Sequence, residues 1–174
     1  MKEQTCCFTG HRNIAKADYE TVYKNTKIEV ENLIKNGYRF FGTGGAIGFD
    51  TIAAKVVLEL RQQYNNIRLI LVLPCKNQTQ NWNVADIKTY NEIKSQANKI
   101  VYTSQQYEKG CMLKRNRHLV DHSSACIAYL NRRQGGTAYT VNYAQKCGLG
   151  MNFIKNHTPK FWSQHTNTFK TQTN

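Results

Sequence analysis

Residues 38–64 read YRFFGTGGAIGFDTIAAKVVLELRQQY, and this segment gives the clearest indication of the fold. The apolar run Tyr38–Phe41 predicts a strand, and the glycine-rich segment Gly42–Asp50 follows it directly. The stretch Ile47–Tyr64 predicts a helix, because its apolar residues recur at helical spacing. A strand, a glycine turn and a helix in this order are typical of the repeating unit of an α/β fold.

The same order recurs on both sides of this unit. The run Ile67–Leu73 is almost continuously apolar, as expected for a central parallel strand that is covered on both faces. The pattern therefore predicts an α/β layer fold with a mostly parallel sheet in residues 1–154, followed by a polar C-terminal tail, 155–174. The other predicted strands are Gln4–Phe8, Lys99–Tyr102, Ala125–Leu130 and Met151–Ile154, and the other predicted helices are Ala17–Lys35, Asp86–Gln96, Cys111–Asp121 and Ala138–Lys146.

The chain is strongly basic. Its 174 residues include 24 lysines and arginines but only 11 aspartates and glutamates, which gives a formal charge of +13. Such an excess favours anionic partners, above all nucleotides or nucleic acid. The alternative is a basic, solvated surface that has no partner.

Cysteine usage and hydropathy predict the compartment. The 6 cysteines form no C-x-x-C pair, and Cys6, Cys7 and Cys126 fall within predicted buried strands, which indicates small apolar residues in a reducing environment. No signal-peptide segment and no apolar run of membrane-spanning length is visible. We therefore expect a cytoplasmic protein without a membrane partner, and no metal site or cofactor is indicated.

A second glycine turn, Gln134–Thr137, also lies between a predicted strand and a predicted helix. Helix N-termini expose free N–H groups and the positive end of the helix dipole, and glycines let a phosphate approach them closely. The turn at Gly42–Asp50 has neither the Walker A pattern nor the spacing of the dinucleotide fingerprint. The two turns predict a site for a nucleotide or a similar ligand, although each could also be a tight turn without a ligand.

Polar residues follow several predicted strands at the edge where ligands bind in parallel sheets. Arg12 is suited to pair with a phosphate, and Asp50 is suited either to bind a ribose hydroxyl, to act as a general base or only to stabilise a helix start. Trp82 could stack on a base or cap the core, and Arg115 could enter the site or lie on a solvated helix face. The candidate ligand-binding residues are Thr9, Gly10, His11, Arg12, Gly44, Gly45, Ala46, Gly48, Asp50, Gln78, Trp82, Arg115, Gly135, Gly136 and Thr137.

These segments together resemble the SLOG superfamily, and within it the YpsA-like branch. The resemblance rests on Thr9–Arg12, Gly44–Asp50, Gln78–Trp82, Lys114–Ser123 and Gly135–Thr137, which span most of residues 5–150. It implies a Rossmann-like, three-layer fold that binds nucleotides or nucleotide-derived signals such as ADP-ribose-type molecules, as SLOG domains do in bacterial and phage conflict systems. It also implies a homo-oligomer, because relatives commonly pair subunits.

Two related families give the competing functions. Arg115 matches the catalytic arginine of the Lonely Guy phosphoribohydrolases, but the glutamate that follows their second glycine motif is missing, since Gly135–Gly148 contains no acidic residue. A phosphoribohydrolase would therefore need Asp50 as a substitute, with Asp50 and Arg115 as its catalytic residues. The DNA-processing protein A family binds single-stranded DNA, which is the third hypothesis. The residues favour a nucleotide binder over both.

Overall fold

The computed structural model describes residues 1–155, so the predicted tail lies outside the described residues except for Lys155. After a short 3-10 turn at Lys2–Gln4, strands and helices alternate along the described chain. The strands are β1 (Thr5–Gly10), β2 (Phe40–Thr43), β3 (Arg68–Leu73), β4 (Lys99–Tyr102), β5 (Ala125–Tyr129) and β6 (Gly150–Phe153). The helices are α1 (Lys16–Lys35), α2 (Phe49–Leu60), α3 (Val84–Gln96), α4 (Cys111–Asp121) and α5 (Gly136–Lys146).

The strands of residues 1–155 form one sheet in the order β4-β3-β2-β1-β5-β6, and every neighbouring pair is parallel. Cys7 lies opposite Gly42 of β2 on one side and opposite Cys126 of β5 on the other. The predicted Rossmann-like α/β fold with a parallel central sheet is thus confirmed. β1 lies at the centre, where the strand order changes direction.

Helices cover both faces of the sheet. Side chains of β1 alternate between the faces, so that Cys6 and Phe8 pack with the apolar residues of α1, α2 and α3, whereas Cys7 packs with those of α4 and α5. Cys6, Cys7 and Cys126 are buried free thiols and serve as small core residues. In the described part of the chain, no helix is both long and apolar enough to cross a membrane.

Two predicted boundaries next to the candidate site were wrong. β1 extends through Thr9 and Gly10, which pair with Ala128 and Tyr129 of β5, because backbone pairing continues past the apolar run. Helix α2 begins at Phe49 rather than at Ile47, since Gly48 adopts φ 81°, which is incompatible with a right-handed helix. It ends at Leu60 rather than at Tyr64. The other boundaries differ from the prediction by two residues or fewer.

Candidate functional site

A cleft of about 670 Å³ opens at the carboxyl ends of β1 and β5. These strands are neighbours in the sheet, but the chain leaves β1 towards α1 on one face and β5 towards α5 on the other. The divergence leaves a crevice at the sheet edge, which is where ligands bind in open parallel sheets. The first glycine turn forms one side of the crevice and the second glycine turn forms the other.

A hydrogen bond joins the end of the first glycine turn to the segment that follows β1. The N–H of Phe49 donates to the carbonyl of His11 at 3.1 Å, so the start of α2 lies directly against the chain that leaves β1. Gly48 is required here, because a Cβ at this position would overlap the backbone of Arg12. Behind the turn, the Gln78 amide donates to the carbonyl of Gly45 at 2.7 Å. The turn is therefore held from both sides, independently of any ligand.

A buried ion pair joins this turn to α4. Nη1 of Arg115 lies 3.3 Å from Oδ2 of Asp50, and the side chains are 7% and 9% exposed. The guanidinium reaches the carboxylate through space that is open only because Gly44 has no Cβ. The N–H of Ala46 donates to the same Asp50 oxygen at 3.2 Å. Asp50 therefore positions both Arg115 and the turn.

Burial dominates the electrostatics of this pair. It raises the pKa of Asp50, and the charges of Arg115 and Arg12 together with the N–H groups of Ala46 and Gly44 act against the increase. Burial also lowers the pKa of Arg115, and the carboxylate of Asp50 opposes that change. Each member of the pair thus depends on the other to remain charged in the interior.

His11 lies at the floor of the cleft with 5% of its surface exposed. Its ring packs edge-on against Tyr129, with 6.4 Å between the ring centroids. Burial lowers the pKa of His11, and the charge of Arg132 lowers it further, so the imidazole is held neutral at pH 7. Nε2 of His11 is buried and has no hydrogen-bond partner among the described residues.

The second glycine turn forms the opposite wall and is open to the cleft. Gly135 caps α5 and Gly136 is its first residue, and a Cβ added at Gly136 would meet no described heavy atom within 4 Å. The start of α5 is tied to α4 because Asn116 donates to the Thr140 hydroxyl at 2.8 Å, and Thr140 in turn donates to the carbonyl of Gly136 at 2.8 Å. The N–H groups at this helix start therefore have room for an anion.

The structure brings together most of the residues singled out from the sequence. Gly44, Gly45 and Gly48 shape the first turn without lining the cleft, and Gln78 supports the turn from behind. Trp82 lies away from the cleft and packs edge-on against Tyr90, 5.5 Å between centroids, at the border of the core. The predicted residues that line the cleft are Thr9, Gly10, His11, Arg12, Ala46, Asp50, Arg115, Gly135, Gly136 and Thr137.

Several cleft residues were missed from the sequence. Gln134 is the first residue of the second glycine turn and Arg132 lies two residues before it, so their sequence position was a usable signal. Met112 and Asn116 share a helix with Arg115, but which side chains of α4 face the cleft depends on how the helix packs. The remaining lining residues that were not predicted are Phe8, Asn13 and Leu119.

Stability is expected to fall as the pH drops from 7.5 to 5. The pKa values of His11 and His118 are lower in the folded protein than the unfolded value of about 6.5. The stability that their neutral imidazoles contribute is therefore fully present above pH 6.5 and is lost as the pH falls towards the folded pKa values. Urea unfolding at both pH values measures this change. His11→Gln should reduce the loss, and combining it with His118→Gln should reduce it further. If His11→Gln lost as much stability as the wild type between pH 7.5 and 5, no part of this loss could be assigned to His11.

Comparisons with known proteins agree on one family and one fold. The YpsA model, described as the YspA SLOG family, matches residues 6–156. The uncharacterised SPbeta prophage-derived protein YoqJ of Bacillus subtilis (strain 168) is 30% identical over 142 residues, which cover 74% of this chain and 82% of that protein. A UPF0398 protein of Enterococcus faecalis (strain V583) is 29% identical over 152 residues, 82% of this chain and 84% of that protein.

Solved structures of DNA processing protein A share the fold. The protein from Helicobacter pylori, which is described as having a single-stranded DNA binding mode, superposes with a TM-score of 0.64 at 22% identity. The protein from Streptococcus pneumoniae gives the same TM-score at 19% identity. Each match covers 87% of this chain, but only 65% and 50% of the respective DNA processing protein.

Proposed function

This chain belongs to the YspA SLOG family, and on that premise we propose that it binds a phosphate-bearing, nucleotide-derived ligand in the cleft between β1 and β5. The observation that carries the proposal is the lining of this cleft, which brings together the glycine turns at the starts of α2 and α5 and the side chains of Arg12 and Arg132. Helix starts and arginines are the groups that bind phosphate most often in proteins.

The phosphate would lie against the second glycine turn. A Cβ at Gly136 would meet no described heavy atom within 4 Å, so there is space beside the start of α5, and the helix dipole favours negative charge at that end. Arg12 and Arg132 line the same cleft and add positive charge. These features favour an anion and leave room for a ribose and a base in the remaining volume.

Binding without cleavage is favoured by the state of Asp50. Its carboxylate already accepts hydrogen bonds from Arg115 and from the N–H of Ala46. The glutamate that follows the second glycine motif of the Lonely Guy phosphoribohydrolases is also missing, since Gly135–Gly148 contains no acidic residue. A general base needs a carboxylate that is free to take a proton from the reacting group. We therefore propose a protein that senses or sequesters the nucleotide rather than one that hydrolyses it.

Single-stranded nucleic acid is the second candidate ligand. The formal charge of +13 and the arginine-lined, open cleft would suit a phosphate within a strand as well as a terminal one. The fold is shared with DNA processing protein A, whose Helicobacter pylori member is described as binding single-stranded DNA. Salt dependence separates the two candidates, because a strand that contacts many phosphates loses affinity steeply as salt rises.

Gly136→Ala is expected to weaken nucleotide binding by about tenfold, or about 1.4 kcal/mol, because the added methyl group would occupy the space next to the phosphate. The binding assay titrates the protein with nucleoside monophosphates, ADP-ribose, cyclic ADP-ribose and a short single-stranded oligonucleotide. Gly150→Ala is the matched control, since its Cβ would meet only the Ser124 carbonyl oxygen at 3.8 Å, far from the cleft on β6. Both variants should keep the wild-type Tm.

The outcomes of this titration are distinct. Binding of a nucleotide that Gly136→Ala weakens and Gly150→Ala does not would support the proposal. Binding of the oligonucleotide alone, with a steep salt dependence, would assign the cleft to nucleic acid. Release of free base from a nucleoside monophosphate, abolished by Asp50→Asn, would establish the hydrolase. No binding to any of the probes would overturn the proposed function.

A further inference from the structure

A second concave surface lies on the α4 side of the sheet, between α4 and the edge strand β4. We call it the outer groove, with a volume of about 410 Å³. α4 packs against β1 and β3, and α5 packs against β1 and β6, so the outer part of this face beyond α4 is left open in the described chain. Parallel sheets are normally covered on both faces, which makes this opening unusual.

The floor of the outer groove is apolar. Phe40, Ile70 and Val101 project from three neighbouring strands and are only partly buried, and Val72 lies among them. Leu119 of α4 forms a side wall. Neighbouring strands lie about 5 Å apart, so side chains on three of them span about 10 Å, which is close to the diameter of one helix.

The rim of the outer groove is basic. Lys2, Arg68 and Lys99 are exposed around the apolar floor, and His118 and His122 stack on each other along α4 with 4.1 Å between their ring centroids. None of the described residues that line the groove is an aspartate or a glutamate. An apolar floor with two lysines and an arginine at its rim is complementary to an apolar surface that is flanked by carboxylates.

We propose that the outer groove docks an amphipathic helix of another protein, in which an apolar stripe is flanked by aspartate or glutamate. The apolar side chains of such a helix fill the floor, and its carboxylates face the rim lysines and arginine. In that position the helix lies beside α4 and completes the layer that α4 and α5 begin. Leu119 lines both the groove and the cleft, so the two sites share one wall.

Charge argues against two other occupants. A second copy of this chain docked face to face would bring the same cations together, which is unfavourable. Residues 156–174 include Lys160 and Lys170 but no aspartate or glutamate, so they do not complement the rim either. The charge pattern therefore favours an acidic segment of a different protein as the partner.

A peptide selection with the full chain tests this proposal. The library displays helical peptides of about 18 residues that carry a fixed leucine stripe and randomised flanking positions. Selected peptides should be rich in aspartate and glutamate beside the stripe. The affinity of the best peptide, measured by fluorescence anisotropy, should fall by about tenfold in the rim variant Lys2→Glu/Lys99→Glu and also in the floor variant Val101→Glu.

A charge-matched control separates docking from general attraction to a basic protein. Lys24→Glu/Lys88→Glu makes the same change in net charge on α1 and α3, which cover the opposite face, and it should leave the affinity within about twofold. Equal losses in the rim and control variants, or selected peptides without an acidic excess, would overturn the proposal.

Two further measurements test the other occupants. Sedimentation that shows self-association of the wild type, abolished by Val101→Glu, would assign the groove to a second copy. Tighter peptide binding in the full-length variant Phe161→Asp/Trp162→Asp would assign it to the chain's own C-terminal residues. Either result would overturn the proposal of an external acidic helix without affecting the nucleotide titration.

Discussion

Substituting Asp50 with alanine is expected to lower the free energy of unfolding by about 3–5 kcal/mol, the usual cost of removing one member of a buried ion pair. The guanidinium of Arg115 would remain buried without its carboxylate partner, and Arg12 adds repulsion. The N–H of Ala46 would also lose its acceptor. Equilibrium unfolding in urea at pH 7.5 measures the loss.

A double variant shows whether the loss comes from the pair. Asp50→Ala/Arg115→Met removes both charges and leaves an apolar side chain in place of the guanidinium, so it should recover most of the stability that Asp50→Ala loses. A double variant no more stable than Asp50→Ala would mean that the carboxylate acts mainly through the turn at Ala46. Nucleotide binding should be weaker in the double variant than in the wild type, because Arg115 lines the cleft and its positive charge is lost.

Gly48→Ala is expected to destabilise the protein by about 3 kcal/mol or more, the sum of backbone strain and steric overlap. Gly48 has φ 81°, and an added Cβ would overlap the carbonyl group of Arg12. The position of the Cβ is fixed by the backbone of its own residue, and the group that it meets is backbone of Arg12, so rotating a side chain cannot relieve the contact. The junction between the first glycine turn and the end of β1 would have to separate, and this is measurable as a lower midpoint of urea unfolding.

Gly148→Ala is the control for the loss of stability that a positive φ causes without a steric contact. Gly148 has a similar φ of 76°, but a Cβ there would meet no described heavy atom within 4 Å. Its substitution should therefore cost only the strain of a left-handed conformation, about 1–2 kcal/mol. Similar losses in the two variants would show that the contact between Gly48 and Arg12 contributes nothing.

The two glycine turns show how much of the cleft can be predicted from local sequence patterns. Apolar strands that alternate with helical periodicity predict the parallel sheet, and parallel strands place their carboxyl ends at one edge, which brings both turns to the same side. The turn residues of the cleft could therefore be predicted without knowing a single distance. Arg115 was already a candidate from the residues, and the match to the catalytic arginine of the Lonely Guy family supported it. It lies on a helix whose exposed face carries Lys114 and Arg117.

The positions of Trp82 and Arg132 relative to the cleft were not predicted correctly from local sequence patterns. Trp82 follows a strand in a polar segment, as a base-stacking residue would, yet it packs at the border of the core, because the loop after β3 folds over α3 rather than towards the cleft. Arg132 was not among the predicted residues, although it lies two residues before the second glycine turn, and the fold places it close enough to lower the pKa of His11. Loop paths depend on long-range packing, which the local sequence pattern does not contain.

The order of strands and helices, the parallel sheet and the two glycine turns could all be predicted from the amino-acid sequence, because they follow from local periodicity and from the backbone freedom of glycine. The tertiary structure was needed to show that Arg115 reaches Asp50 through the space left open by Gly44, and that the face beyond α4 is uncovered in the described chain. Both depend on how the helices are rotated and spaced over the sheet. That arrangement is set by contacts between residues far apart in the chain.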